Sequence, residues 1–251
     1  MHKILANTVV LGKDILYLPE CHSTNDIAKQ KLKEKIVAEG SIIITDKQTN
    51  GRGQRGNQWQ TEPGQNLTFS LILTPFFLNA SEQFDLNIAV SLGIRAALSE
   101  YLTGIKVKWP NDIVHEKGGK LGGILIENFL KGPRIEASVV GIGLNVNQME
   151  FPVAQACSMA LLAGSPVDKE DLFEKIISSI EYFYLMLKNR GKNNLVESYQ
   201  SHLYRFGEIC PFDDGEKFNG KITGIAEDGK LVIQKENQEL FHYAFKEVRF
   251  L

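Results

Sequence analysis

Two sets of residues in this sequence could do chemistry: cations able to hold carboxylate or phosphate oxygens, and small polar groups able to line a polar, uncharged group of a ligand. The first set sits in a glycine-rich run, Gln48-Thr49-Asn50-Gly51-Arg52-Gly53-Gln54-Arg55-Gly56-Asn57-Gln58-Trp59. Glycines free the backbone to take φ > 0 and to bring N–H groups against a ligand. Arginines offer forked donors for carboxylate and phosphate oxygens, and Trp59 adds a flat face suited to a nucleobase. A run of this kind also occurs in plain solvated loops, so its meaning depends on partners elsewhere. It is not a dinucleotide fingerprint, because Asn57-Gln58-Trp59-Gln60-Thr61-Glu62-Pro63-Gly64 stands where a helix should begin. Nor is it a Walker loop, since no Gly-Lys-Ser/Thr follows.

The polar set is Ser23-Thr24-Asn25, followed by Asp26 and by Ile27, Ala28, Leu32 and Ile36 at helix-like spacing. Ser23 with Asp26 three residues on resembles a capping box, which predicts a helix starting here. Capping alone would account for Ser23. The same helix start also offers free N–H donors beside three small polar side chains, a suitable wall for a polar, uncharged group. Two further stretches carry charge: Lys108-Trp109-Pro110-Asn111-Asp112, and Lys120 ahead of Leu121-Gly122-Gly123-Ile124-Leu125. Pro110 keeps Trp109 extended, and Asn111 and Asp112 favour a turn or bulge that projects an amide and a carboxylate.

The elements that must position these groups follow from periodicity. Ile15–Leu18 reads as a strand closed by Pro19, and Ile42-Ile43-Ile44 as a buried strand delivering the glycine loop. Leu67, Phe69, Leu71 and Leu73 alternate with Thr68, Ser70, Ile72 and Thr74, a long strand with one strongly apolar face. A long amphipathic helix is expected from Gln83 to Leu102. Val107–Val114 reads as a strand interrupted at Pro110, and turns at 115–119 and 131–133 link further strands up to Asn147. Glycines cluster between Gly51 and Gly143, which implies close backbone approach to a ligand across adjacent strands. Asp168 can cap a helix to about Lys188, and a second helix runs near Leu195 to Leu203. From Phe206 the texture changes to short strands, Glu208–Phe212, Phe218–Ile225, Leu231–Gln234 and Leu240–Val248, as in a small barrel.

At 251 residues the chain can form one large domain with a small appendage, burying roughly 70–75% of its unfolded surface. Its formal charge of −2 argues against a general polyanion binder. Cys21, Cys157 and Cys210 are far apart, with no CxxC pair, which fits a reducing compartment and small buried hydrophobes. The first residues carry no A-x-A cleavage pattern, and no 18-residue apolar run occurs, so a cytoplasmic protein is expected.

Ser23-Thr24-Asn25, Gln48 with Gly51-Arg52-Gly53 and Trp59, Lys108-Trp109-Pro110-Asn111-Asp112, Lys120-Leu121-Gly122-Gly123 and Gly141-Ile142-Gly143-Leu144-Asn145 together resemble the biotin protein ligases. Each pattern alone occurs in unrelated proteins; the five in this order and spacing are specific, and they span nearly the whole chain. The resemblance implies an α+β fold: a mixed sheet flanked by helices, like that of class II aminoacyl-tRNA synthetases, then an SH3-like C-terminal β-barrel. The expected division is a catalytic biotin- and ATP-binding domain over residues 1–204 and the barrel over 205–251. With the first motif arriving at Ser23, the monofunctional class without an N-terminal DNA-binding domain is expected.

The implied reaction activates biotin with ATP as biotinyl-5'-AMP and transfers the acyl group to a lysine of a biotin carboxyl carrier protein domain. By resemblance Lys120 and Arg52 would be catalytic, at the junction of carboxylate and α-phosphate. Ser23, Thr24, Asn25, Gln48, Gly51, Arg52, Gly53, Gln54 and Lys120 would bind biotin. Arg55, Trp59, Asn111, Asp112 and Asn145 would bind ATP, with Mg²⁺ accompanying the nucleotide and Asp112 as its candidate ligand. The glycine run would serve as a lid excluding water from the acyl-adenylate. Gln54 and Asn57 depart from the arginine-rich form of the motif. No nucleic-acid or membrane partner is implied, and a homodimer through sheet edges is compatible with the resemblance. The competing readings are a lipoate–protein ligase or octanoyltransferase of the same fold, whose dithiolane ligand head is apolar, and a biotin-responsive regulator. The Ser-Thr-Asn wall opposes the first, and the mild acidity and missing DNA-binding segment oppose the second.

Overall fold

The computed structural model describes residues 5, 7–54, 57–117 and 119–251. Arg55, expected at the ATP phosphates, lies outside the described residues, as do Gly56 of the loop and Gly118 of the 115–119 turn.

The first part of the chain runs β1 (Ile15–Cys21), α1 (Thr24–Lys33), β2 (Ile42–Gln48), β3 (Leu67–Leu73), α2 (Gln83–Ser99), β4 (Ile105–Lys108), β5 (Asp112–His115), β6 (Lys120–Lys131) and β7 (Arg134–Leu144). Its strands form one sheet in the order β1-β2-β3-β7-β6-β5-β4. β1 and β2 are parallel, and every other pairing is antiparallel. Helices α3 (Met159–Ala163), α4 (Lys169–Arg190) and α5 (Asn193–Ser201) follow. The chain closes with β8 (Ile209–Asp213), β9 (Lys217–Ile225), β10 (Leu231–Lys235), β11 (Leu240–Tyr243) and β12 (Arg249–Phe250). These make a second, antiparallel sheet in the order β11-β10-β9-β8-β12. The expected architecture, a mixed sheet with helices and a small C-terminal β unit, is therefore present.

Strand alternation decides what each face of the large sheet carries. Ile42, Ile44, Phe69, Leu71, Leu73, Val140 and Ile142 join α2 and α4 in the main core. Ile43, Ile72 and Val139 point the other way and pack with Ala28 of α1. β3 is thus central and buried along its whole length, not on one face only. Its Thr68 and Ser70, on the α1 face, become available to a site instead of to solvent.

Several boundaries differ from the expectation, each for a local reason. β1 continues through Pro19 to Cys21 because it is the edge strand, where a missing N–H costs no ladder bond. α1 stops at Lys33, short of Ile36, and Lys35 takes φ 56. α2 ends at Ser99 and α4 at Arg190, where Gly191 turns the chain at φ 72. The Val107–Val114 stretch is two strands of a hairpin, with Lys108 opposite Asp112 and a cis Trp109–Pro110 bond between. The expected Leu240–Val248 strand is β11 alone, with β12 beyond it pairing on the far side of β8. Short α3 was not expected. Asp168 caps α4 as expected, accepting from the backbone N–H of Glu170 and Asp171.

Candidate active site

Directly opposed residues of an antiparallel pair share a face. Ser70 lies opposite Gly141, Thr68 opposite Gly143, Gly123 opposite Gly143 and Asp112 opposite Gly123. Thr68, Asp112, Gly123, Gly141 and Gly143 form the floor of a cavity of about 610 Å³ on the α1 face, and Glu127, opposite Val139, borders an adjoining recess. Glycines on this floor make room for side chains. A methyl group at Gly141 would sit inside Asn25, and one at Gly143 inside the Trp59 indole, far within van der Waals contact. The close approach inferred from glycine clustering is therefore made, at these two positions, by the protein's own side chains.

One end of the cavity is a polar wall. Ser23 caps α1 through its hydroxyl, which accepts from Asp26 N at 3.4 Å. The next two residues, buried Thr24 and Asn25, face β3. The Ser70 hydroxyl is shared between Thr24 Oγ1 at 2.7 Å and Asn25 Oδ1 at 2.6 Å. Gln48 Oε1 accepts from Thr24 N at 2.8 Å and from its hydroxyl at 3.1 Å. Asn25 Nδ2 donates to Glu127 Oε2 at 2.8 Å, which fixes the amide's orientation with its oxygen toward Ser70. A network satisfied in this way is rigid and rejects groups that cannot join it.

The opposite end is cationic. Lys120 Nζ pairs with Asp112 Oδ1 at 2.6 Å and lies 5.9 Å from the centre of the Trp59 ring. Lys108, opposite Asp112, also lines the cavity, with its Nζ 4.9 Å from the Phe250 ring centre. Burial pushes the Lys108 ammonium down, and Arg205 and Lys120 push the same way against the upward pull of Asp112. The Lys120 backbone is braced by N–H donation to Gln155 O at 2.6 Å and by acceptance from Cys157 N at 2.9 Å. Asn87 of α2 steadies the neighbouring turn by donating to Pro110 O at 2.7 Å. Trp109 donates its indole N–H to Gly229 O at 2.9 Å, joining the turn to the β9–β10 connection. Phe245, Lys246, Val248, Arg249 and Phe250 of the C-terminal unit complete the rim.

The glycine loop folds back on itself over this cavity. Arg52 bridges Gln58, Gly53 N donates to Asn57 O at 2.7 Å, and Trp59 N donates to Gly51 O at 3.0 Å. Arg52 turns its guanidinium to Asp26, with Glu127 Oε2 at 3.6 Å.

Residues 17–145 match the biotin/lipoate A/B protein ligase family. The chain belongs to that family. Among its relatives, the bifunctional ligase/repressor BirA of Bacillus spizizenii is 31% identical over 240 residues, covering 91% of this chain and 72% of the relative. The biotin–protein ligase of Homo sapiens is 24% identical over 247 residues, covering 93% of this chain and 34% of that protein. Among solved structures, the biotin protein ligase from Aquifex aeolicus in complex with biotin and ATP superposes with a TM-score of 0.78. It shares 28% identity over 95% of this chain and 100% of its own.

Of the residues expected to serve this ligase-family site, Ser23, Thr24, Asn25, Gln48, Arg52, Gly53, Gln54, Trp59, Asn111, Asp112 and Lys120 line one cavity. Gly51 borders an adjoining recess between the loop and Glu127. Asn145 is not on the cavity wall: it is buried and donates to the backbone oxygens of Lys120 at 3.3 Å and Cys157 at 3.0 Å. Its amide braces the start of β6. Asn111 reaches the wall, but its amide donates to Ile124 O at 2.6 Å. Arg52 pairs with Asp26 and stands near Glu127. Ser70 and Glu127 were missed. A serine or glutamate in an alternating strand looks like a solvent-facing residue, and only the central placement of β3 and β6 reveals the inward face.

Proposed function

We propose that this chain is an ATP-dependent biotin protein ligase, making biotinyl-5'-AMP and passing biotin to a lysine of a biotin carboxyl carrier protein domain. Family membership and the near-complete overlap with biotin protein ligases support the class of reaction. The observation that carries the substrate is the pairing, on one sheet face, of a hydrogen-bonded Thr24–Ser70–Asn25–Gln48 wall with a Lys120–Asp112 cationic end. A ureido ring offers N–H donors and a carbonyl acceptor to the wall, while its chain carries a carboxylate toward Lys120. An apolar dithiolane has no group that could join that hydrogen-bonded network.

The chemistry needs two anions brought together and water kept out. A carboxylate oxygen attacks the α-phosphorus, and the bond to pyrophosphate breaks. Lys120 lowers the cost of that approach by placing its charge where the two anions meet. The acceptor amine then attacks the acyl carbon, loses its proton, and AMP departs. Trp59 and the loop cover the intermediate, since an acyl-adenylate open to solvent hydrolyses. On this reading Ser23, Thr24, Asn25, Gln48, Gly51, Gly53 and Gln54 serve biotin, and Trp59, Asn111 and Asp112 serve the nucleotide.

Asp112 fits Mg²⁺ as a single carboxylate ligand to a metal carried in on the nucleotide, the usual manner for this cation. Among the described residues no three His, Cys, Asp or Glu side chains gather as a resident metal site. When bound, the ion neutralises phosphate charge. Residues 1–204 are proposed as the catalytic domain and 205–251 as a second, SH3-like one, contributing Lys246 and Phe250 to the rim. No helix among the described residues is long and apolar enough to cross a membrane, and a cytoplasmic setting is proposed.

The test is mass spectrometry of a carrier domain incubated with the protein, ATP and Mg²⁺, with biotin and lipoate offered together. A biotinyl mass gain is expected, and a lipoyl gain overturns the proposal.

A further inference from the structure

We propose that Lys246, on the turn ahead of β12, is a further substrate-binding residue that works with Lys108 to hold the phosphates departing as pyrophosphate. The step it serves rests on the ligase reaction proposed above; the anion site itself does not.

Among the described residues, six acidic or basic side chains line the cavity: Arg52, Lys108, Asp112, Lys120, Lys246 and Arg249. Three of these cations are already matched. Arg52 meets Asp26, Lys120 meets Asp112, and Arg249 meets Asp213 at 2.6 Å. Neither Lys108 nor Lys246 has a salt-bridge partner among the described residues. Each ammonium lies instead near an aromatic ring, Lys108 Nζ 4.9 Å from the centre of Phe250 and Lys246 Nζ 5.9 Å from that of Phe245. Burial depresses the Lys108 ammonium, and Arg205 and Lys120 add to this against Asp112. A bound anion would relieve that surplus of positive charge.

The backbone also marks Lys246 out. Ala244 to Glu247 make a turn in which Glu247 N donates to Ala244 O at 3.1 Å, and Glu247 Oε2 accepts from Ala244 N at 2.7 Å. Lys246 is the third residue of this turn and takes φ 73, the left-handed conformation that such a position ordinarily gives to glycine. A lysine there carries strain that glycine would relieve. Lys35, Arg205 and Gln238 also have positive φ, and none of them lines the cavity. In Lys246 the strained backbone and the unmatched charge coincide, at an exposed position on the cavity rim.

The anion that fits is the polyphosphate end of a nucleotide. As the α-phosphorus bonds to the carboxylate oxygen beside Lys120, its bond to the bridging oxygen breaks, and that electron pair leaves on the β-phosphate. Charge grows on the departing group, where the Lys108 and Lys246 ammonium groups stabilise it. A point charge on a flexible stem suits a group that must be held and then released.

Two variants test this. Lys246→Gly removes the amine and the strain together, while Lys246→Arg keeps both the charge and the strain. The first measurement is calorimetric titration of the biotin-free protein with inorganic pyrophosphate and Mg²⁺. The Kd is expected to rise about five- to ten-fold in Lys246→Gly and to stay within about two-fold of wild type in Lys246→Arg. The melting temperature of Lys246→Gly should hold or rise by up to about 2–4 °C, so that the weaker binding cannot be laid to unfolding. In ligation assays, the KM for ATP rises about five- to ten-fold in Lys246→Gly, with the KM for biotin within about two-fold of wild type. Unchanged pyrophosphate affinity in Lys246→Gly overturns the proposal, as does failure of the wild type to bind pyrophosphate. An equal loss in Lys246→Arg overturns the ionic role. Absence of biotinylation by the wild-type protein sinks the ligase reading but leaves the pyrophosphate titration readable.

Discussion

Lys120 Nζ stands 2.6 Å from Asp112 Oδ1, so the reacting end of the cavity holds a matched pair and not a bare cation. Both residues open their strands, β6 and β5, on adjacent lanes of the sheet. On the proposed reaction, arriving anions take Lys120 away from Asp112, and the released carboxylate is then available to a cation accompanying the nucleotide.

Replacing Lys120 by alanine removes a full charge from that centre. Adenylate formation, followed as biotin-dependent pyrophosphate release, is expected to fall by about two to three orders of magnitude. Near-normal release by Lys120→Ala would remove the residue from the reacting centre.

Gln54 stands where an arginine was expected, and its Oε1 is buried without a hydrogen-bond partner among the described residues. Replacing it by arginine exchanges an unsatisfied acceptor for donors facing an anion site, so Gln54→Arg is expected to ligate biotin as well as wild type. A collapse of adenylate formation in that variant would show that a neutral side chain is required there.

Gly143→Ala places a methyl group inside the Trp59 indole. The ring must leave its seat on β7, while the strand itself tolerates alanine. The expected result is a near-normal melting temperature with Trp59 emission shifted to the red and ligation reduced at least about ten-fold. Unchanged emission would mean that the indole adapts in place.

Ser70 is fully buried and serves Thr24 and Asn25 together. Ser70→Ala leaves both without that partner, at a cost of about 1–3 kcal/mol in unfolding free energy. Denaturant titration reads this directly, and an unchanged midpoint would show that the wall rearranges freely.

The charge cluster around Arg52 has a defined pH range. Burial raises the Asp26 carboxyl, but Lys29, Arg52 and the nearby His22 outweigh it and hold it below its ordinary 3.8. The Lys29 ammonium is lowered by burial and raised more by Asp26 and Glu127, ending above its ordinary 10.5. Stability contributed by Asp26 is full above its ordinary value and is lost as pH falls through the lower folded value. That contributed by Lys29 is full below 10.5 and lost as pH rises through the higher folded value. The melting-temperature gap between wild type and Asp26→Asn should therefore close in acid, below about pH 4. A gap that persists in acid would rule out the ionic origin.

Much of this site was readable from local chemistry. Ser23 caps a helix because a short hydroxyl side chain suits that position, and the turn at Asn111–Asp112 carries the residues that favour turns. Periodicity located β3 and α4 for the same kind of reason. What escaped reading was neighbourhood. Nothing around Ser70 or Glu127 tells that their strands are central, or that α1 lies over that face. Asn145 sits in a pattern suggesting ligand contact, and the sequence gives no sign that its amide also braces the backbone of Lys120, a partner 25 residues away. The hydrogen-bond acceptor of Trp109, Gly229 O, lies 120 residues on, beyond any local pattern.

The cavity is walled by Ser23 and Asn25 at one extreme of the chain and by Val248 and Phe250 at the other. Pairings this distant in sequence cannot form until the intervening loop entropy has been overcome, so they belong to the late stages of folding. A chain that has formed its large sheet but not yet seated β8–β12 has a floor and no rim. Binding competence should therefore appear in refolding after most secondary structure has, with a lag set by docking of Trp109 against Gly229.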